Sequence, residues 1–251
     1  AHTDGPEGIN KNGHGEVFDV DSQMRMSATF GAHLAGDPRL SVLFAPGNSN
    51  AAGEIIGMPN GRTSDDYVGA DGVTYAGVAD RHIYAQTHPA LRKKDVPMVL
   101  LTTAEVHFLI GEAIIRGWVS GDAKTYYDAG VTAAMTMLAD FYPDSTPIAQ
   151  ADIDAFLAGP GAYDSSKGWE MLMNEYWKAT FLNEYEAYAN WRRTGYPTLT
   201  PTKHPNSVSN NQIFRKMIYP GGESATNGDN YAAAIARQGP DDFTTRMWWD
   251  K

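Results

Sequence analysis

The sequence predicts a mainly α fold: a helical hairpin followed by a long helix, with loop-rich segments and little β-structure. Three observations predict it. Apolar and small residues recur at helical spacing from Leu100 to Leu138, interrupted only by Gly117 and a Ser120-Gly121-Asp122 turn. A further helical run, from Trp169 to about Arg193, meets a hard stop at Gly195 and Pro197. The remainder is dense in Gly, Asn, Asp and Pro, with short apolar runs between turn dipeptides.

Taken in order, residues 1–96 form the first zone. Asn12-Gly13, Pro46-Gly47, Asn60-Gly61 and Asp71-Gly72 punctuate it, which predicts loops with a few short strands or helices. Residues 97–197 are the helical zone. Pro97 suits a first helical turn, where its missing N–H costs nothing. Leu100, Leu101, Ala104, Phe108, Gly111 and Ile115 then follow one face, and Gly117 ends the helix. Asp122 caps the second helix, which runs through Tyr127, Val131, Ala134 and Leu138 until Pro143 forbids continuation. The small residues Ala104, Gly111, Gly130 and Ala134 allow close helix approach. That is the build of a tetratricopeptide-like unit, although the repeat consensus and a second copy are absent. Trp118 and Tyr126, near its turn, read as core or partner-facing rather than ligand-stacking.

A short helix over 151–157 precedes the Gly159-Pro160-Gly161 break, and Ser165 or Ser166 caps the long helix. Residues 198–251 are irregular, with an apolar segment at 213–219 and a short helix at 231–237. Trp248 and Trp249 are costly to leave in water and are expected to dock and pin the tail. The whole of 1–251 reads as a single domain with these three zones.

Composition narrows the function. With 30 acidic against 20 basic residues and a formal net charge of -10, nucleic acid is excluded as an expected partner, because phosphate binding needs a cationic face. The absence of cysteine excludes disulfides, thiolate metal sites and a cysteine nucleophile. No phosphate loop, nucleophile elbow or His-Glu-x-x-His pattern is present, and the seven histidines lack metal-ligand spacing. Asp4 to Glu16 is rich in Asp, Asn, Gly and Glu but lacks the order of a Ca²⁺ loop. The sequence therefore predicts no metal, no cofactor and no catalytic residue. Carboxylates are numerous enough for glycoside hydrolysis, yet no local pattern nominates a pair.

On the long helix, Asn183, Glu186, Asn190 and Arg193 share one face at i, i+3, i+7 and i+10. A Glu186–Arg193 pair there reads first as structural and only second as a ligand contact. Around this face lie Asn183-Glu184-Tyr185-Glu186-Ala187 and Trp191-Arg192-Arg193-Thr194-Gly195-Tyr196-Pro197. These segments resemble the C-terminal signature of the SusD/RagB family. Asp37-Pro38-Arg39-Leu40, Thr103 to Phe108 with Glu112-Ala113, Tyr127 to Val131, and Trp248 to Lys251 are similar to the same family, in family order. The resemblance implies a cell-surface, outer-membrane lipoprotein. Such a protein captures glycan, or sometimes peptide, and passes it to a SusC-like TonB-dependent transporter, without catalysis. Members are usually far longer and begin with a lipidated cysteine. The chain matches their C-terminal portion, so any membrane association is expected only through a lipid anchor not present in it.

Glycan capture needs aromatic surfaces for apolar sugar faces and Asp, Asn or Arg for hydroxyls. The densest such combination lies between Asn60 and Tyr84, and the expected ligand-binding residues are Arg62, Asp66, Tyr67, Tyr75, His82 and Tyr84. Peptide capture by the same fold, an α-helical glycoside hydrolase and a pure scaffold are the competing readings.

Overall fold

The computed structural model describes residues 11–20 and 24–250. Short elements come first: α1 (Gly13–Val20), α2 (Ala28–His33), α3 (Leu40–Leu43), β1 (Phe44–Ala45), β2 (Tyr67–Val68), β3 (Thr74–Tyr75) and β4 (Gln86–Thr87). The helical body follows: α4 (Thr103–Ile115), α5 (Ala123–Phe141), α6 (Gln150–Ala158), α7 (Gly168–Ala179) and α8 (Glu184–Thr194). Two helices close the chain, α9 (Glu223–Thr226) and α10 (Gly228–Gln238). The strands make two-stranded antiparallel pairs, β1 with β4 and β2 with β3. The mainly helical expectation stands.

By contacts the chain falls into two compact units. One holds residues 1–60 and 80–187, the other 61–79 and 188–251. The three sequence zones do not coincide with them. The β2–β3 hairpin, part of the loop-rich first zone, belongs with the C-terminal segment.

In the larger unit α4 packs on α5 and α7. Ala104 and Ala134 are buried, and an added Cβ would strike the Phe108 ring at Gly130 or the Leu172 side chain at Gly111. The four small residues thus set the helix spacing, as their positions predict. A separate aromatic core gathers Met26, Phe30, Leu43, Phe44, Leu91 and Tyr142, with Trp177 and Phe181 packed against it. Phe30 meets Trp177 edge-on at 4.9 Å.

Helix ends follow local chemistry, in places differently from the sequence reading. The Asp122 cap on α5 is present, its carboxylate accepting from Lys124 N and Thr125 N. The hairpin, however, does not begin at Pro97. α4 starts in a capping box, with Thr102 Oγ1 accepting from Glu105 N at 3.1 Å and Thr102 N donating to Glu105 Oε1 at 3.0 Å. Asp164, rather than Ser165 or Ser166, caps the turn before α7, accepting from Ser166 N. Asn12-Gly13 is a helix start rather than a turn: Asn12 Oδ1 accepts from His14 N and Gly15 N, while its amide donates to Val96 O.

The long helix is two helices. α7 ends at Ala179, Thr180 Oγ1 turns back to Tyr176 O and Trp177 O, and Leu182 adopts φ 65°. That left-handed residue breaks the ladder and places the Leu182 side chain against the aromatic core. The stop after α8 matches expectation, with Gly195 at φ 79° and its N–H on Trp191 O.

One buried cluster was invisible in the pattern. Arg39 is 1% exposed. Its Nε donates to Asp37 Oδ1 at 2.9 Å, and its Nη2 reaches Asp37 Oδ2 at 2.5 Å and Glu175 Oε2 at 2.6 Å. Lys178 closes the group on Asp37 at 3.1 Å and on Glu175. Burial pushes the Asp37 carboxyl up, but the Arg39 hydrogen bonds and charge, with Lys178, bring it below the usual carboxylate range. This four-charge knot ties the loop before α3 to α7.

In the smaller unit, Trp191 is buried and Arg215 lies 4.1 Å over its ring. Asp250 receives Arg215 and Arg246. Trp249 lies against Arg192 at 4.5 Å, but Trp248 is 88% exposed. The expectation that both tryptophans dock is corrected: they are the two central residues of a turn closed by Asp250 N donating to Met247 O, and only Trp249 turns back onto Arg192.

Candidate functional site

Four of the six expected residues, Arg62, Asp66, Tyr67 and Tyr75, come together on the β2–β3 hairpin. Two registered pairs build it, Tyr67 with Tyr75 and Val68 with Thr74. Asp71-Gly72 forms its tip, with Gly72 at φ 78° and Asp71 accepting from Val73 N. Gly69 permits a close pass, because a Cβ there would meet both the Tyr75 ring and Lys203 O. The hairpin is pinned to the C-terminal segment by Ala70 N donating to Lys203 O at 2.8 Å.

Directly opposite residues on one face of an antiparallel pair are close enough for rings to stack. Tyr67 and Tyr75 do so at 5.4 Å and 24°. The Arg62 guanidinium covers Tyr75 at 4.6 Å, and His204 tilts against Tyr67 at 4.9 Å. The result is a ladder, Arg62–Tyr75–Tyr67–His204, on an exposed loop. Both faces of Tyr75 are therefore occupied, so these tyrosines are not the open platforms that the sequence reading assigned to them. Ring edges, the outer side of Arg62 and the neighbouring carboxylates remain to meet a ligand.

The polar groups brace this ladder. Tyr75 OH donates to Asp71 Oδ2 at 2.6 Å, and Tyr67 OH to Gly61 O at 3.0 Å. The Tyr75 hydrogen bond, then the Val73 N–H, hold the Asp71 carboxyl below its ordinary value, and the same bond raises Tyr75. Asp66 Oδ1 accepts from Gly77 N at 2.7 Å, which fixes the return strand. Asp71 and His204 belong to the cluster and were not among the expected residues. Asp71 was legible only as a turn former, and nothing local connects His204 to the hairpin.

His82 and Tyr84 fall in the other unit. His82 Nδ1 meets Arg25 Nη2 at 2.7 Å, and Asp80 caps the turn that carries it. Both side chains are half-buried.

Glu105 is buried, and desolvation raises its pKa, with the Glu186 charge adding to the rise. Tyr176 OH links the two, donating to Glu186 at 2.8 Å and reaching Glu105 at 3.5 Å. A raised carboxyl beside another can mark a general acid. Here Glu105 is committed to the α4 capping box inside the helix pack, which makes it structural. Arg193 Nη2 donates to Asn190 Oδ1 at 2.8 Å, so part of the expected polar face does form. Among the described residues no group of three or more His, Cys, Asp or Glu could hold a metal ion; residues 4–10 of the acidic N-terminal stretch lie outside them.

A profile of the SusD-like family, described as "Starch-binding associating with outer membrane", matches residues 10–220. Among solved structures, a chitin-binding protein is 30% identical with a TM-score of 0.81, over 97% of this chain and 54% of its own. A SusD homolog from Bacteroides fragilis NCTC 9343 is 27% identical with a TM-score of 0.70, over 90% of this chain and 52% of its own. A SusD-like protein from Bacteroides thetaiotaomicron VPI-5482 is 25% identical with a TM-score of 0.71, over 97% of this chain and 54% of its own. The chain thus spans about half the length of these structures. No curated protein matches it. On the extent of the profile match, the chain belongs to the SusD-like family.

Proposed function

We propose that the chain is part of a surface glycan-binding protein of the outer membrane, which captures polysaccharide or oligosaccharide and hands it to a SusC-like TonB-dependent transporter. The observation that carries this reading is the braced, half-buried Arg62–Tyr75–Tyr67–His204 ladder, flanked by the exposed Asp66 and Asp71. Arg62 offers a planar fork of donors to paired sugar hydroxyls, and Asp66 and Asp71 offer acceptors beside it. Because Asp71 and Gly61 already hold the phenols, the ladder is organised before ligand arrives, which lowers the ordering cost of binding. The protein binds and does not cleave. Membrane attachment through a lipid anchor and contact with the transporter are part of the same proposal.

Native electrophoresis through gels containing soluble polysaccharides tests the site. Wild type is expected to be retarded by at least one neutral glycan, and the R62A/Y75A double variant to run about tenfold less retarded, through loss of the Arg62 donors and of the ring that positions them. Equal retardation of the two proteins removes the hairpin as the site. Binding of peptides alone transfers the reading to peptide capture.

A further inference from the structure

The turn between α4 and α5 carries an indole that the hairpin reading leaves unused. Trp118 is 69% exposed, yet it is not loosely held. Gly117 N donates to Ile114 O and Trp118 N to Ala113 O, both at 2.9 Å, the paired bonds of a Schellman ending with Gly117 at φ 71°. The Arg116 guanidinium lies 5.1 Å from the Trp118 ring and 4.6 Å from the Trp169 ring. Arg116 Nε is fixed in turn by Glu112 Oε1 at 2.8 Å, and Glu112 is buried. The array of indole, cation and indole is therefore anchored to α4 and α7.

Leaving an aromatic ring in water forgoes apolar burial. One face of Trp118 rests on Arg116, and at this exposure the opposite face is open to solvent. That is the surface the hairpin lacks, since Tyr75 has Arg62 on one face and Tyr67 on the other. The Arg116 side chain stays 37% exposed, so N–H donors beside the ring still meet solvent. An open, fixed aromatic face with donors at its edge suits the apolar C–H face and the hydroxyls of a pyranose. The net charge of -10 disfavours an anionic sugar.

We propose that Trp118, braced by Arg116 and Trp169, is a second sugar-stacking site, in the unit formed by 1–60 and 80–187, that takes the apolar face of a pyranose residue in a neutral polysaccharide. The proposal rests on the reading of the chain as glycan-binding. A protein partner is the competing occupant, because Ile115 and Val119 are exposed apolar neighbours in sequence.

The test follows the indole N–H of Trp118 in ¹H–¹⁵N spectra of the whole chain, assigned by its loss in W118F, during titration with maltoheptaose and chitotetraose. The expected result is a saturable shift with one of them, which persists in R62A/Y75A. W118A is expected to weaken retention by the matching polysaccharide about three- to tenfold, the worth of one aromatic contact, while melting with wild type. If retention depends on the hairpin and the Trp118 signal stays silent, the stacking proposal is overturned, glycan binding stands, and the indole is left as a protein contact. If the Trp118 signal moves and R62A/Y75A loses nothing, the hairpin site fails and this one stands. No retention and no shift with any glycan removes both.

Discussion

Replacing Arg39 with alanine should be among the most damaging single changes in the helical unit. Asp37 would lose two hydrogen bonds from the guanidinium, and Glu175 would lose one at 2.6 Å. Lys178 alone would then face two carboxylates whose side chains are 1% and 5% exposed. Removing one partner of a buried ionic group typically costs about 3–5 kcal/mol, because the remaining charge is stranded away from water. For a chain of this size that is a fall in melting temperature of about 6–20 °C. The pH dependence gives a sharper check. The folded Asp37 carboxyl is held low, so its contribution is present above the unfolded carboxylate pKa and is lost as pH falls through the folded value. The gap between wild type and R39A should thus be widest near neutrality and shrink below about pH 4. Thermal melts followed by circular dichroism at a series of pH values measure both. A loss under about 1 kcal/mol, or a gap as wide at pH 3 as at pH 7, would refute the argument that the charges matter as a buried group.

Glu105 should behave in the opposite sense. Burial raises its folded pKa, so the stability it contributes is present below the unfolded value and lost as pH rises through the folded one. E105Q keeps an acceptor for Thr102 and removes the charge, so it should match or exceed wild-type stability at neutral pH, with its advantage fading in acid; denaturant titrations at two pH values decide it. G130A should cost about 1–3 kcal/mol by forcing the Phe108 ring off α5, read as a lower urea midpoint, and no change would mean that the helices can separate freely.

How much of this was legible in the sequence depends on the range of each interaction. Features set within a few residues could be read directly: the Asp122 cap, the Gly117 and Gly195 stops, and the small residues Gly111 and Gly130 that α4 and α5 use to approach. The Thr102-x-x-Glu105 capping box is equally local, and it outweighs Pro97, which only tolerates a helix start whereas the box satisfies orphan donors. The break at Leu182 was not legible. An apolar residue in a helical pattern gives no warning that burial against Phe181 and its neighbours will pull it into a left-handed conformation. The Arg39 group likewise needs residues from two distant segments, and no spacing rule joins Asp37 to Lys178. The hairpin shows both cases. Tyr67 and Tyr75 were recognisable as a cluster, but their mutual stacking, which spends the faces a sugar would use, depends on a register that the sequence leaves open.

We propose that this member of the SusD-like family binds glycan without cleaving it. One measurement bears on it most directly: retention of the wild-type chain by a panel of neutral polysaccharides, with reducing ends assayed in the same samples over the same hours. Retention by at least one polysaccharide with no rise in reducing ends is the expected result. Release of reducing sugar, or passage of the chain through every polysaccharide unretarded, would contradict it.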